Sequence, residues 1–252
     1  MFIILALLCC NLICSLAEAR SLTDIKKSGV LRVAVDGNTP GFNFYKNGVL
    51  TGLEVDLAQI IAARMGLKVE WTVQPFNTLL IALRQDRFDL IAGSHTVTPQ
   101  RQQLVDFINP HYCNGANIVT KIGGPKTAPD LKGKTVAVAV GTVYYDKLTS
   151  ISGIKKIMTM PGENHGFMAL LNNRADAWVT EKPMAISAIN SSPHKNELVI
   201  GDEILYQVNA MTVAKGNKEL QEVINEKLSA IMADGTYNKL MQQYFSEDIC
   251  CK

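Results

Sequence analysis

Two successive series of alternating strand-like and helix-like segments constrain the fold of this chain more than any other sequence feature. In the first series, the apolar run 31–35 precedes residues 55–65, whose apolar side chains recur at helical spacing. A strand near 69–73, a helix over 77–84 and a strand at 88–92 follow. Such alternation predicts an α/β fold with a largely parallel sheet.

The same alternation starts again in the second half of the chain. A strand over 135–140 is followed by a helix from 143, a strand near 156–160, a helix over 163–173 and a strand at 177–180. In both series a polar turn that contains Asp separates the last helix from the last strand. We therefore expect two similar α/β lobes.

The composition is that of a globular protein without a nucleic-acid partner. Of the 252 residues, 47% are hydrophobic and 19% are charged, and the formal net charge is only +2. These values allow two domains with their own cores. The Lys and Arg residues form no basic run of the kind that nucleic-acid-binding surfaces carry. The four histidines lack the spacing of metal ligands, so we predict neither a metal site nor a cofactor.

The first 19 residues predict an export signal, and we assign residues 1–19 to it. Residues 2–16 are almost wholly apolar, and Ala17 and Ala19 supply small residues where a signal peptidase reads them. No Lys or Arg precedes this apolar core, which is atypical of such signals. None of the three leader cysteines follows a small residue, so release into the periplasm is favoured over lipoprotein anchoring.

Removal of the leader leaves three cysteines, Cys113, Cys250 and Cys251. In an oxidising compartment, an odd number leaves at least one thiol unpaired within a monomer. The sequence leaves two arrangements open: a buried free Cys113 beside a frayed tail, or a bridge from Cys113 to the tail.

Four strand ends carry the candidate ligand-binding residues. Parallel sheets place ligands outside the carboxyl ends of their strands. These ends are residues 36–37 and 93–94 in the first half, and 140–142 and 180–181 in the second. If the two lobes face each other, these four positions line one cleft.

Arg101 stands at an unusual position for a cation. Thr98 and Pro99 are typical of the first residues of a helix, so Arg101 lies in its first turn. The helix dipole disfavours a cation there by roughly 0.3–1 kcal/mol. The guanidinium either forms an anion site suited to a carboxylate or pairs with a surface acid, and position alone does not decide.

Four further residues have two interpretations each. Gly141 and Thr142 begin a helix after a strand, and they form either a second anion site or an ordinary turn. Glu181 either holds an ammonium group or stabilises a helix N-terminus. Asp36 is either a cleft carboxylate or the first residue of a turn.

Glu54 and Asp56 have the appearance of a catalytic carboxylate pair. Their spacing places them on different faces at a helix start, where acids offset the helix dipole, and we favour that interpretation. Four aromatic residues at strand-like positions are assigned to the core: Phe42, Phe44, Trp71 and Phe107.

Several motifs resemble the family 3 solute-binding proteins, the polar-amino-acid receptors of bacterial ABC importers. The run 52–58, Gly-Leu-Glu-Val-Asp-Leu-Ala, resembles the signature of that family. Residues 89–94 and 96–101 resemble its carboxylate-binding segment, and Arg-Ala-Asp-Ala at 174–177 also matches. The resemblance extends over roughly residues 21–245.

This resemblance implies a ligand site and a role for most of its members. The implied ligand-binding residues are Asp36, Phe76, Gly93, Ser94, Thr96, Arg101, Gly141, Thr142 and Glu181. Arg101, with Gly93, Thr96 and Thr142, is expected to bind the α-carboxylate of an amino acid. Glu181 is expected to hold the α-ammonium, Phe76 to pack on the aliphatic part, and Asp36 to face the side chain.

The resemblance also implies a two-lobed periplasmic-binding-protein fold with a discontinuous first lobe. Lobe 1 is expected to comprise residues 20–112 and 210–252, and lobe 2 residues 113–209, with hinge segments near 110–114 and 205–209. The implied function is ligand binding by lobe closure in a monomer that serves the permease subunits of an ABC importer.

Ligand identity and two other functions stay open. Asp36 favours a polar or basic amino acid, whereas Thr39, Ala139 and Val143 depart from the family pattern. The enzymatic alternative is a cyclohexadienyl dehydratase, but the corresponding run 139–145 keeps only its Gly-Thr, and the sequence indicates no pair of acids with a raised pKa. A ligand-sensing module is the third possibility.

Overall fold

The computed structural model describes residues 19–245, 249 and 251. Residues 1–18 of the predicted leader lie outside the described residues. No helix in the described part of the chain is both long and apolar enough to cross a membrane.

The described residues form thirteen strands and nine α-helices. The strands are β1 (Val30–Val35), β2 (Asn38–Thr39), β3 (Asn43–Lys46), β4 (Val49–Thr51), β5 (Lys68–Val73), β6 (Leu90–Ile91), β7 (Val105–Phe107), β8 (Tyr112–Lys121), β9 (Thr135–Ala139), β10 (Lys156–Met160), β11 (Ala177–Glu181), β12 (Leu198–Asn209) and β13 (Thr212–Ala214). The helices are α1 (Leu22–Ser28), α2 (Leu53–Arg64), α3 (Phe76–Arg84), α4 (Pro99–Leu104), α5 (Val143–Thr149), α6 (Glu163–Leu171), α7 (Lys182–Asn190), α8 (Lys218–Ala233) and α9 (Thr236–Tyr244).

Two five-stranded sheets organise two lobes, and this architecture confirms the predicted fold class. Lobe 1 contains the sheet β5-β1-β6-β13-β7, in which β1 runs parallel to β5 and β6. Lobe 2 contains the sheet β10-β9-β11-β8-β12, in which β9 runs parallel to β10 and β11. In each sheet one strand is antiparallel to its neighbours: β13, the last strand of the chain, in lobe 1, and β8, the first strand of its sheet, in lobe 2.

Apolar side chains bury each sheet against helices. In lobe 1, Leu31 and Val33 of β1 and Ile61 of α2 are completely buried. In lobe 2, Trp178 of β11 is buried, and its ring centroid lies 5.4 Å from that of Phe167 on α6. Full burial of such a side chain stabilises the fold by about 1.5–3 kcal/mol, so the two cores hold the cleft walls rigid.

The similar polar turns in the two halves have a common backbone cause. Asp86 and Asn173 adopt left-handed backbone conformations, with φ of 54° and 56°. Because a left-handed residue cannot continue a right-handed helix, α3 ends at Arg84 and α6 at Leu171. The latter helix is therefore two residues shorter than predicted.

Two long antiparallel strands connect the lobes. β8 and β12 pair along most of their length, and Tyr112 pairs with Asn209 at the end nearest lobe 1. The sequence analysis did not identify residues 112–121 as a strand, because almost the whole segment is buried and its polar residues show no alternation. The lobe boundaries at 112/113 and 209/210 stay a prediction.

A disulfide joins the start of β8 to the C-terminal tail. Cys113 is bonded to Cys251, 138 residues later in the chain. The backbone N–H of Cys113 also donates to the carbonyl oxygen of Ile249, at 2.8 Å. Of the two arrangements that the sequence leaves open, the structure has the bridge to the tail.

Cys251→Ser is expected to destabilise the protein by about 2–4 kcal/mol, since the bridge closes a long loop in the unfolded chain. For a chain of this size, the melting temperature should fall by roughly 5–15 °C. Thermal unfolding followed by circular dichroism under oxidising conditions measures the change. Cys250→Ser is the matched control and should melt like the wild type; the opposite ranking of the two variants would contradict the pairing.

Candidate ligand-binding site between the lobes

About 440 Å³ of empty space, part of it open to solvent, forms a cavity between the two lobes at the carboxyl ends of their parallel strands. Seven of the nine predicted site residues line it: Asp36, Phe76, Ser94, Thr96, Arg101, Thr142 and Glu181. Gly93 and Gly141 are not among the residues that line the cavity, although the carbonyl oxygen of Gly141 accepts a hydrogen bond from Arg101.

Arg101 reaches across the cleft from lobe 1. The Thr98 hydroxyl accepts from the backbone N–H of Arg101 at 3.2 Å and caps α4 as predicted. Nη1 of the guanidinium donates to the carbonyl oxygen of Thr96 and Nη2 to that of Gly141 in lobe 2, both at 2.9 Å. Burial lowers the pKa of Arg101 to about 10, so the group stays cationic at neutral pH. Both acceptors are neutral, and the surface ion pair that the sequence left open is not formed.

Phe76 forms an aromatic wall beside this guanidinium. Its ring stacks on His95, with centroids 4.4 Å apart and planes at 14°. Cζ of Arg101 lies 5.9 Å from the centroid of the Phe76 ring, within the range of a cation–π contact. Burial lowers the pKa of His95, so its ring is neutral and adds no second positive charge here.

Glu54 positions the cavity residue Ser94. The Glu54 carboxylate accepts from the backbone N–H of Ser94 at 3.0 Å and from its hydroxyl at 2.8 Å. The same carboxylate contacts Asn43 Nδ2 at 3.4 Å and His111 Nε2 at 3.2 Å. Ser94 has φ of 53°, a conformation that costs a non-glycine residue energy unless its surroundings hold it.

These contacts amend our interpretation of Glu54. It does lie in the first turn of α2, as does Asp56. However, its side chain is completely buried, and its contacts extend well beyond the helix dipole. A buried acid cannot be told from an exposed one at a helix start by spacing alone.

Glu181 is the principal carboxyl group of the lobe 2 wall. It precedes α7, but its side chain makes no capping hydrogen bond to that helix. Its Oε2 accepts from Asn114 Nδ2 at 2.6 Å, and its Oε1 accepts from the Tyr144 hydroxyl at 3.0 Å. Burial raises the pKa of Glu181 to about 7. A cationic ligand group here would favour the ionised form.

Asp36 faces the cavity from lobe 1 and also opens a turn, so both of its interpretations describe the structure. The Thr39 hydroxyl donates to Asp36 Oδ1 at 2.9 Å. Gly37 follows with φ of 68°, and a Cβ there would lie 2.9 Å from Val73 Cγ1. Burial, followed by the nearby charge of Glu54, raises the pKa of Asp36 to about 7.

Glu163 and Tyr144 line the cavity although the sequence analysis did not name them. Glu163 begins α6, and its Oε2 accepts from Trp178 Nε1 at 3.0 Å. Burial raises the pKa of Glu163 to about 8. The sequence indicated no pair of acids with a raised pKa, whereas Glu163 and Glu181 both line the cavity with raised pKa values. The sequence feature that could have identified Glu163 is its position: it is an acidic residue just after the turn that follows β10.

Among the described residues, two side-chain hydrogen bonds cross the cleft directly from one lobe to the other. Arg101 donates to Gly141, and Asn164 Nδ2 donates to Asn38 Oδ1 at 2.6 Å. A third hydrogen bond, from the Thr96 hydroxyl to Gln207 Oε1 at 2.6 Å, joins lobe 1 to the connecting strand β12. The structure therefore has the closed arrangement. Among the described residues, no three His, Cys, Asp or Glu side chains are grouped to hold a metal ion.

Comparison with known proteins identifies the class to which this architecture belongs. The chain matches the bacterial extracellular solute-binding proteins, family 3, over residues 31–247, and it belongs to that family. The resemblance inferred from the sequence motifs is thereby confirmed.

Individual relatives agree with this assignment. The chain is 31% identical to the probable amino-acid-binding protein YxeM of Bacillus subtilis (strain 168) over 226 residues, which cover 87% of this chain and 85% of that protein. It is 28% identical to the L-cystine-binding protein TcyJ of Escherichia coli (strain K12) over 240 residues, 93% and 90% of the two chains. The crystal structure of the ancestral amino acid-binding protein AncCDT-1, a precursor of cyclohexadienyl dehydratase, superposes with a TM-score of 0.83 at 32% identity, covering 89% of this chain and 99% of that one.

The ligand-free protein is expected to become less stable as the pH rises from about 5 to about 8. Asp36, Glu163 and Glu181 have folded-state pKa values of about 7, 8 and 7, above their ordinary values of 3.8, 4.5 and 4.5. The folded state therefore binds more protons than the unfolded state in this window, and stability falls by up to about 1.4 kcal/mol per pH unit for each such group.

Chemical denaturation of ligand-free protein at a series of pH values measures this slope. Glu163→Gln should make the slope shallower by about one group's contribution, because Gln carries no titrating proton. An increase in stability over the same pH range would contradict the raised pKa values of these three carboxyl groups.

Proposed function

We propose that this protein is the periplasmic amino-acid-binding component of an ABC importer, and that it binds a polar or basic L-amino acid by closure of its lobes. The observation that carries the proposal is the placement of Arg101 on lobe 1 and Glu181 on lobe 2 in one cavity. An α-amino acid presents the complementary pair, a carboxylate and an ammonium group on one carbon atom.

The α-carboxylate would bind the guanidinium of Arg101, whose planar donors match a carboxylate. The hydroxyl groups of Thr96 and Thr142 line the cavity from opposite lobes and are available as further donors. The α-ammonium would bind the Glu181 carboxylate, held in place by Asn114 and Tyr144. The ligand thus contacts both lobes at once.

Closure follows from this division of the site between lobes. A ligand shifts a conformational equilibrium by the difference in its affinity for the two states. In an open form each lobe offers only half of the contacts, whereas the closed form offers all of them, so the ligand stabilises the closed form. Importer permease subunits would recognise that closed surface.

The comparisons support this proposal through the names of the relatives. YxeM is described as a probable amino-acid-binding protein and TcyJ as an L-cystine-binding protein. Extending amino-acid binding to this chain rests on the cavity residues above. Export by the predicted leader and function as a monomer complete the proposal.

One observation favours a dehydratase as a second candidate. Glu163 and Glu181 have pKa values raised to about 8 and 7, which suits a general acid at neutral pH. AncCDT-1 is described as a precursor of cyclohexadienyl dehydratase. We favour binding, because the residue 139–145 run keeps only Gly-Thr of the dehydratase motif.

A thermal-shift scan of the mature chain, unfolded and refolded to remove bound ligand, tests the proposal. The panel comprises the twenty amino acids, ornithine, citrulline and cystine. An amino acid at a hundred times its Kd should stabilise the protein by about 2.7 kcal/mol, which is a shift of roughly 5–10 °C.

Arg101→Ala should weaken binding of the same ligand at least ~30-fold, because loss of a buried ionic contact costs about 2–5 kcal/mol. Arg84→Ala, which removes an exposed guanidinium at the end of α3, is the matched control and should bind normally. If no amino acid shifts the melting temperature and the protein turns over prephenate or arogenate, the proposed binding function is wrong and the dehydratase function is supported.

A further inference from the structure

The cavity contains more negative than positive charge. Among the described residues that line it, the only Lys or Arg is Arg101, whereas three carboxyl groups line the same space: Asp36, Glu163 and Glu181. An amino acid with a neutral side chain brings one carboxylate and one ammonium group. These satisfy Arg101 and Glu181 and leave Asp36 and Glu163 without a cation.

The two remaining carboxyl groups line the cavity from opposite lobes. Asp36 follows β1 in lobe 1, and Glu163 begins α6 in lobe 2. The chain segments that carry them are in contact, since Asn38 accepts from Asn164 at 2.6 Å. A Cβ at Gly162, next to Glu163, would lie 2.2 Å from Asn38 Nδ2. The closed lobes therefore bring together the segments that carry the two acids, and the charge of Asp36 contributes to the raised pKa of Glu163.

We propose that Glu163, together with Asp36, binds the positively charged end of the ligand's side chain, so that the ligand is an L-amino acid with a cationic side chain. This inference rests on the proposed function, and it assigns to Glu163 the choice between cationic and neutral side chains. Lysine, ornithine and arginine belong to the expected class.

Burial explains why a cation at this position would stabilise the ionised form of both acids. Two carboxylates taken out of water repel each other, and each loses hydration energy that only a partner charge restores. Trp178 supplies one hydrogen bond to Glu163 and Thr39 supplies one to Asp36, and both donors are neutral. A guanidinium or ammonium group between the two acids would provide the opposite charge for both.

The surroundings of Glu163 also predict proton release when such a ligand binds. The titratable groups near it are Glu181 on β11, Asp36 after β1, Tyr144 on α5 and His165 on its own helix. Burial is the main cause that raises the pKa of Glu163 to about 8, and the two acids add to it. A bound cation lowers that pKa, so the proton leaves and affinity increases with pH between about 6 and 8.

The test compares ligands that differ in charge but hardly in shape. Isothermal titration of refolded, ligand-free mature protein is carried out with L-arginine and L-citrulline, and with L-lysine and L-norleucine. The wild type should bind the cationic member of at least one pair ~30-fold or more tightly than its neutral counterpart, since the neutral ligand offers no charge to pair with the ionised acids.

Glu163→Gln removes the charge and keeps an oxygen that can accept from Trp178. This variant should lose at least ~10-fold of the cationic preference, with the affinity for the neutral ligand changed less than ~3-fold. The pH dependence of affinity for the cationic ligand should also become shallower. Glu226→Gln is the control of equal charge change, because the Glu226 side chain is 70% exposed, and it should bind like the wild type.

The outcomes separate this inference from the function on which it rests. Tight binding of cystine, histidine or glutamine without preference for the cationic ligands would overturn the inference and leave amino-acid binding intact. A preference for cations that survives in a folded Glu163→Gln variant would also overturn it. Should that variant fail to fold, the wild-type affinity ratios for the two pairs still decide, and ratios near one for both pairs reject the proposal. Binding of no amino acid at all would overturn the proposed function itself.

Discussion

The arrangement of buried charges between the lobes is the constraint on which the rest of the structure depends. In the described part of the chain, the guanidinium of Arg101 donates only to carbonyl oxygens, and Asp36, Glu163 and Glu181 accept from neutral donors. Removing these groups from water costs free energy that neutral partners restore only in part. The raised pKa values of the three acids express this cost. In the proposed function, a zwitterionic ligand would supply the missing opposite charges, so that binding and closure would be one event.

The strands β8 and β12 that connect the lobes are linked to this cavity through polar contacts. Glu54 touches both Ser94 in the cavity and His111, just before β8. Gln207, on β12, accepts from Thr96 and donates to the Tyr144 hydroxyl, which in turn donates to Glu181. The disulfide from Cys113 ties the C-terminal tail to the same crossover. Since buried polar networks are costly when partly unsatisfied, movement of the connecting strands and rearrangement of the cavity are expected to be coupled.

The sequence predicts the fold more completely than it predicts the site. Alternating strand and helix patterns identify both lobes because parallel strands and flanking helices have distinct periods. The helix cap at Thr98 is also predictable from the sequence, since it depends on local residue types. The strand β8 was missed because its buried polar residues show no alternation. Glu163 was missed because its burial beside Trp178 comes from tertiary packing, which spacing along one helix does not reveal.

The central claim is that the two lobes bind opposite ends of one α-amino acid. A crystal structure of the refolded protein with the amino acid that stabilises it tests this claim most directly. The account predicts closed lobes, with the α-carboxylate in hydrogen-bond contact with the guanidinium of Arg101 and the α-ammonium in contact with the Glu181 carboxylate. A ligand held by one lobe alone, or an α-carboxylate bound away from Arg101, would contradict it.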